Sequence, residues 1–142
     1  MKKKKLSIWE IEKRAFKLED RSTKNFLLNL SRSKKTILVK ENYGYAIGRE
    51  LEFDREIKDM FQRKWNTFYL YGIAVIPEMQ GKGMGEKLLK KLIVKVREKD
   101  FERITLHTDN LKMYNLAFKL GFRPKGRHII DNSRKYYMVK RL

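Results

Sequence analysis

The chain has 142 residues, with 35 Lys and Arg against 17 Asp and Glu for a formal charge of +18, and it contains two His and no Cys. At that length one core hides roughly 70% of the surface that the unfolded chain exposes, and a 42% hydrophobic fraction supplies it, so a folded domain is expected in spite of 37% charged residues. The missing cysteines exclude disulfides and a catalytic thiol, His107 and His128 alone are too few for a His-rich metal site, so no metal is expected, and no apolar run approaches the roughly 20 residues of a membrane span.

Residues 1–5 carry four lysines and run into Ser7, Trp9 and Glu10 where a signal peptide would have an apolar core. They read as a frayed basic end, and a cytoplasmic protein is expected. Ile8, Ile11, Ala15 and Phe16, and then Phe26, Leu27 and Leu30, recur at three- and four-residue steps. The cap-like run Asp20, Arg21, Ser22 and Thr23 divides them into two helices. A β-rich stretch over 36–40, the turn Asn42-Tyr43-Gly44 and an extended pattern over 45–53 predict an antiparallel hairpin. A strand over 68–76 ends at Pro77.

After glycines at 81, 83 and 85, Leu88, Leu89, Leu92, Ile93 and Val96 line one face of a helix whose other face is filled by lysines. A strand over 103–107, a helix over 111–120 stopped by Gly121, and two last strands around Asp131-Asn132-Ser133 complete the order ααβββαβαββ. The central strand, helix and strand require a right-handed crossover and a parallel pair, whereas both flanks are antiparallel. The expectation is an α+β (mixed α/β) fold, a central mixed, mostly antiparallel twisted sheet flanked by helices. No repeat or linker divides it, so 1–142 reads as a single domain.

The sharpest local signal is Val75-Ile76-Pro77-Glu78-Met79-Gln80-Gly81-Lys82-Gly83-Met84-Gly85, between a strand and an amphipathic helix. Glycines there let a ligand approach the backbone, and the helix start offers unpaired N–H groups and the positive end of a dipole, which suits a phosphate. The Walker loop is excluded because Lys82 is followed by Gly83, and the dinucleotide fingerprint because its third glycine would fall on Glu86.

The segment resembles the acyl-CoA loop of the GNAT superfamily of N-acyltransferases, which reads Gln or Arg, two residues, Gly, one residue, Gly or Ala. Gln80, Gly83 and Gly85 match it. Ile73-Ala74-Val75, Pro77 and Glu78 resemble the exit of the family's fourth strand, and the element order from Thr36 onward is similar to the family fold. The resemblance implies that backbone N–H groups of Gly81, Lys82, Gly83, Met84 and Gly85 hold the CoA pyrophosphate. Lys82 is then either an added cation or a solvated side chain. It also implies that Ile73, Ala74 and Val75 offer main-chain partners to the pantetheine arm. Asn110 and Gly121-Phe122 fall on the family's next frame, where the asparagine touches the cofactor; here it serves that role, a helix cap, or both.

The sequence departs from the family where relatives place catalytic groups. The tyrosine that protonates the departing thiolate in many relatives is replaced by Ala117, with Tyr114 one turn earlier as the substitute acid or as a packing residue. No glutamate lies between 66 and 76, where Tyr69 and Tyr71 stand. Glu52, with Glu50 and Asp54 beside it, is then the candidate base or a solvent-facing charge. The implied activity is acetyl-CoA-dependent N-acetyl transfer straight to an amine of a protein, a small molecule or an RNA-linked group. The alternatives are a weak or inactive acyl-CoA sensor and a basic nucleic-acid-associated module. The charge suits nucleic-acid or ribosome association, or it serves solubility. By the same resemblance the last strands pair in a homodimer.

Overall fold

The computed structural model describes residues 5–16, 21–51, 66–130 and 132–142, so Glu52, Asp54 and Trp65 lie outside the described residues. The elements are α1 (Ile8–Phe16), α2 (Arg21–Arg32), β1 (Thr36–Glu41), β2 (Gly44–Glu50), β3 (Thr67–Val75), a 3-10 turn (Pro77–Met79), α3 (Met84–Glu98), β4 (Arg103–Thr108), α4 (Leu111–Lys119), β5 (Arg123–Ile130) and β6 (Ser133–Arg141). The order is the one the periodicities predict, with ends displaced by a residue or so. The largest shift within the described residues is at β2, which closes at Glu50, ahead of the expected 53. The strands form one six-stranded sheet in the order β1-β2-β3-β4-β6-β5. β3 and β4 are parallel, while β1 with β2, β4 with β6 and β5 with β6 are antiparallel. The sheet is therefore mixed, as the crossover requires.

The chain divides into two compact units, Met1–Arg49 with Gly72–Leu92 and Glu50–Tyr71 with Ile93–Leu142, and β3 and α3 run through both. In the first unit α1 opens on a capping box. Ser7 Oγ accepts the Glu10 N–H at 3.1 Å, and the Glu10 carboxylate accepts the Ser7 N–H at 3.4 Å. The helix buries Ile11 against Leu27, Leu30, Tyr45, Ile47 and Ala74, with Leu6, Ile8, Trp9 and Ile76 around them. Tyr45 donates its hydroxyl to the Glu12 carboxylate beside this core. Burial, only partly offset by that bond, raises the Glu12 pKa.

In the second unit α4 is defined at both ends. Asn110 Oδ1 accepts the Met113 N–H at 3.2 Å, and at the other end Gly121, at φ +99°, lets the Phe122 N–H reach the Ala117 carbonyl at 2.9 Å. That is a Schellman stop, and both Ala117 and Phe122 are buried. On β3, Phe68, Leu70 and Ala74 are buried while Tyr69, Tyr71, Ile73 and Val75 are less so, the period-2 alternation of a strand with one face in a core.

Candidate functional site

The glycine loop leaves β3 under two constraints. Gln80 Nε2 donates to the Val75 carbonyl at 2.8 Å, and the Ile76 N–H donates to the Tyr43 carbonyl at 2.8 Å. Gln80 thus closes the turn from the side-chain side, a structural use of a residue the resemblance assigns to the cofactor. Gly81 and Gly83 stand at φ +75° and +76°, with Lys82 between them on the ordinary side of φ = 0. Alternating signs of φ are the pattern of a nest, in which successive N–H groups turn toward one concave side and bind an anion. A Cβ at Gly81 or Gly83 would meet nothing within 4 Å, so these glycines are there for backbone shape, and the space before them is open.

α3 continues directly from this loop. Its first intrahelical donor beyond the loop is the Lys87 N–H, to the Gly83 carbonyl at 3.2 Å, so the N–H groups of Met84, Gly85 and Glu86 precede the ladder at the positive end of the helix. Gly85 lies inside the first turn, one residue past the helix start, and not ahead of it. Lys82 is exposed. Ile73, Ala74, Val75, Gln80, Gly81, Lys82, Gly83, Met84 and Gly85 all fall within one unit. The β3 ladder with β4 stops where Tyr69 pairs with Thr105, so residues 70–75 run on beyond it. An open nest, a helix start and a strand end without that ladder together fit a ligand with a pyrophosphate and an extended amide arm.

Asn110 belongs to the other unit and caps α4 through Oδ1. Tyr114 is half-buried, edge-on to Tyr136 with ring centroids 5.0 Å apart and parallel to Phe118 at 6.4 Å. Its hydroxyl makes no hydrogen bond among the described residues. Ala117, at the family's tyrosine position, is buried. Glu52, the expected base, lies outside the described residues, and Glu50 ends β2 half-buried.

Sequence reasoning set the two histidines aside, yet they lie in one hydrogen-bonded chain. Tyr69 Oη is 2.8 Å from His107 Nδ1, and His107 Nε2 is 2.8 Å from His128 Nδ1. A β-bulge makes this possible. Pro124 pairs with Met138 and Gly126 with Tyr137, so Lys125 is an extra residue, and beyond it His128 pairs with Lys135. Tyr137 is the register partner of His107, and Lys135 shares its face. Without the inserted residue His128 would point to the opposite face.

The sequence matches the Acetyltransferase (GNAT) family over residues 6–122. The chain belongs to the acetyltransferase (GNAT) family. Among solved structures it is similar to the ribosomal-protein-S18-alanine N-acetyltransferase from Escherichia coli, at 21% identity over 92% of this chain and 83% of that one, TM-score 0.65. It is also similar to an aminoglycoside 6'-N-acetyltransferase complexed with coenzyme A, at 15% identity over 94% and 88%, TM-score 0.71. A GNAT family acetyltransferase from Elizabethkingia anophelis with acetyl-CoA bound aligns at 17% identity over 94% and 90%, TM-score 0.62. A search of curated protein sequences finds no match.

The GNAT fold expected from the glycine loop and the element order is thus the fold observed, and the protein is a transferase of the acetyltransferase class. The family match ends at Phe122, ahead of the β5 strand that carries His128. None of the described helices of this GNAT protein is long and apolar enough to cross a membrane.

Burial, then the neighbouring His128 and Lys135, push the His107 pKa down from 6.5 to about 4. The unfolded chain therefore binds a proton between those values that the folded protein refuses, so stability is full above about pH 6.5 and falls as the pH drops toward 4. After allowing for partial exposure we expect a loss of about 1 to 2 kcal/mol over that window. Urea titrations across it should show a slope in wild type that His107→Phe flattens; an equal slope in both would assign acid lability elsewhere.

Proposed function

We propose that this GNAT protein transfers the acetyl group of acetyl-CoA directly to a primary amine. The observation that carries the reading is the open nest at Gly81 and Gly83, continued by the first turn of α3. The nest and helix start hold the pyrophosphate, Lys82 adds a positive charge, and the main chain of Ile73, Ala74 and Val75 pairs with the pantetheine amides. Asn110 contributes its Nδ2 donor, as the resemblance implies. Bound acetyl-CoA supplies an acyl carbon open to amine attack and a thiolate as the leaving group. A thiol ordinarily ionises near pH 8.5, at roughly the value of a free cysteine, so it departs readily and no protein nucleophile is needed. The N–H near Val75 stabilises the negative charge developing on the carbonyl oxygen, a contribution of about 3 kcal/mol at comparable sites.

Tyr114 donates the proton that the thiolate takes, which is consistent with a hydroxyl that has no partner among the described residues. Tyr114→Phe should lower turnover roughly 10- to 1,000-fold and leave acetyl-CoA affinity unchanged, because a general acid acts mainly in the transition state. Turnover within about twofold of wild type, with or without a change in melting temperature, would make Tyr114 a packing residue. The cofactor assignment is tested by thermal melting. Acetyl-CoA at millimolar concentration should raise the melting temperature and free CoA should compete, whereas no response to either would refute the assignment.

A further inference from the structure

Arg123 and Arg127 of β5 each lay a guanidinium on an aromatic ring, Arg123 over Phe118 at 4.2 Å and Arg127 over Tyr136 at 4.6 Å from the ring centroid. The Tyr114 ring neighbours both Phe118 and Tyr136 and so joins the two pairs. Arg123, Phe118, Tyr114, Tyr136 and Arg127 thus form an unbroken series, built from α4, β5 and β6 within the second unit. We propose that this series is a binding surface for single-stranded nucleic acid. It uses only the ring of Tyr114 and does not depend on the acetyl transfer proposed above.

The fold fixes both cations. Arg127 and Tyr136 are register partners on adjacent strands, so their side chains share a face, and Arg127 Nη2 donates to Tyr136 Oη at 2.8 Å. Arg123 follows the end of α4, where its Nη1 donates to the Phe118 and Phe122 carbonyls at 3.0 and 2.8 Å. A guanidinium has five N–H donors, so each of these keeps donors for a ligand. Among the described residues neither arginine forms an ion pair with a carboxylate. Both are exposed on β5, the outer strand of the sheet, and Phe118 is 46% exposed.

A single strand presents phosphates along its backbone and flat bases beside them, and this surface has a group for each. The N–H edge of a guanidinium takes phosphate oxygens, while bases stack on aromatic rings or on guanidinium planes. The surrounding charge has the matching sign. From Asp109 to Leu142 the sequence holds nine Lys and Arg against two acids. Of these acids, Asp109 accepts a hydrogen bond from Ser133 Oγ at 3.2 Å, and Asp131 lies outside the described residues. An acidic peptide would satisfy the cations and leave the aromatic rings without a planar partner. A duplex offers phosphates and keeps its base faces stacked inside. Only the single strand uses both kinds of group.

The test follows binding of the full chain, without acetyl-CoA, to fluorescent oligouridine RNA and oligothymidine DNA by anisotropy at about 0.15 M salt. Phe118→Ala should weaken binding about 10-fold through lost stacking. The double variant Arg123→Lys with Arg127→Lys keeps the charge and gives up the planar groups, and it should also lose about 10-fold. Binding of either oligonucleotide with these losses supports the proposal, and the tighter of the two names the natural source. No binding of either, or undiminished binding in both variants, would overturn it. So would a duplex that binds as tightly as the single strand, or polyglutamate that displaces the RNA as well as unlabelled RNA of equal charge. The wild-type protein gives a reading that needs no variant to fold: the ring-proton signals of Phe118 and Tyr136 should shift as the oligonucleotide is added, and rings unmoved at saturation would place binding elsewhere and overturn the assignment.

Discussion

Gly83→Val should weaken acetyl-CoA binding at least about 100-fold, which corresponds to roughly 2.7 kcal/mol, while the protein stays folded. Gly83 stands at φ +76°, where a β-branched residue is strained even though open space surrounds it. The loop's cheapest escape is to rotate Gly83 back to negative φ, which turns its N–H out of the nest and moves the carbonyl that receives the Lys87 N–H and starts α3. The anion then loses the loop donors and the helix start together. The loop is exposed, so the unliganded protein should melt within a few degrees of wild type. Calorimetric titration of both proteins decides it, and undiminished affinity in a folded variant would remove the phosphate from this loop.

Gly44→Ala should be the most destabilising single methyl in the first unit, costing about 3 kcal/mol or more. Gly44 opens β2, and a Cβ there would press into the Ala74 carbonyl oxygen, with the Ala74 carbonyl carbon at 3.3 Å and Leu88 Cδ1 at 3.0 Å. Leu88 can change rotamer. The Ala74 carbonyl cannot, since it belongs to β3 just before the glycine loop, where the bond from Ile76 to the Tyr43 carbonyl ties the strand exit to the same turn. A shift large enough to admit the methyl therefore disturbs both the core around Ala74 and the strand end assigned to the pantetheine arm. Urea unfolding should show a clear drop in midpoint, and a change below about 1 kcal/mol would mean the turn and strand yield together.

Most of the fold was legible because its signals are local. The apolar period of Leu88, Leu89, Leu92, Ile93 and Val96 defines α3 without reference to any other element, and all of them are buried. The glycine loop was legible for the same reason, since positive φ at Gly81 and Gly83 is a property of the residue type. Asn110 was open between two roles, and its capping bond to Met113 establishes the structural one. The histidine path was not legible. It depends on the register of β3 against β4, and on an extra residue in β5 that reverses the facing of everything after Lys125. Nothing in the run Arg123, Pro124, Lys125, Gly126 fixes where a bulge falls, although Gly126 at φ +142° is compatible with one. The departures at Ala117 and on β3 showed only that the family's usual tyrosine and glutamate are missing there.

Amine-dependent acetyl transfer is measured most directly as thiol release from acetyl-CoA by the full chain, with and without a panel of α-amino peptides, lysyl peptides and aminoglycosides, combined with mass spectrometry of the amines. Release should rise with one or more amines and match, mole for mole, the amine that gains an acetyl group, and Gly83→Val should abolish both signals. Acetyl-CoA that binds but releases thiol at the same rate with every amine as with none would contradict it.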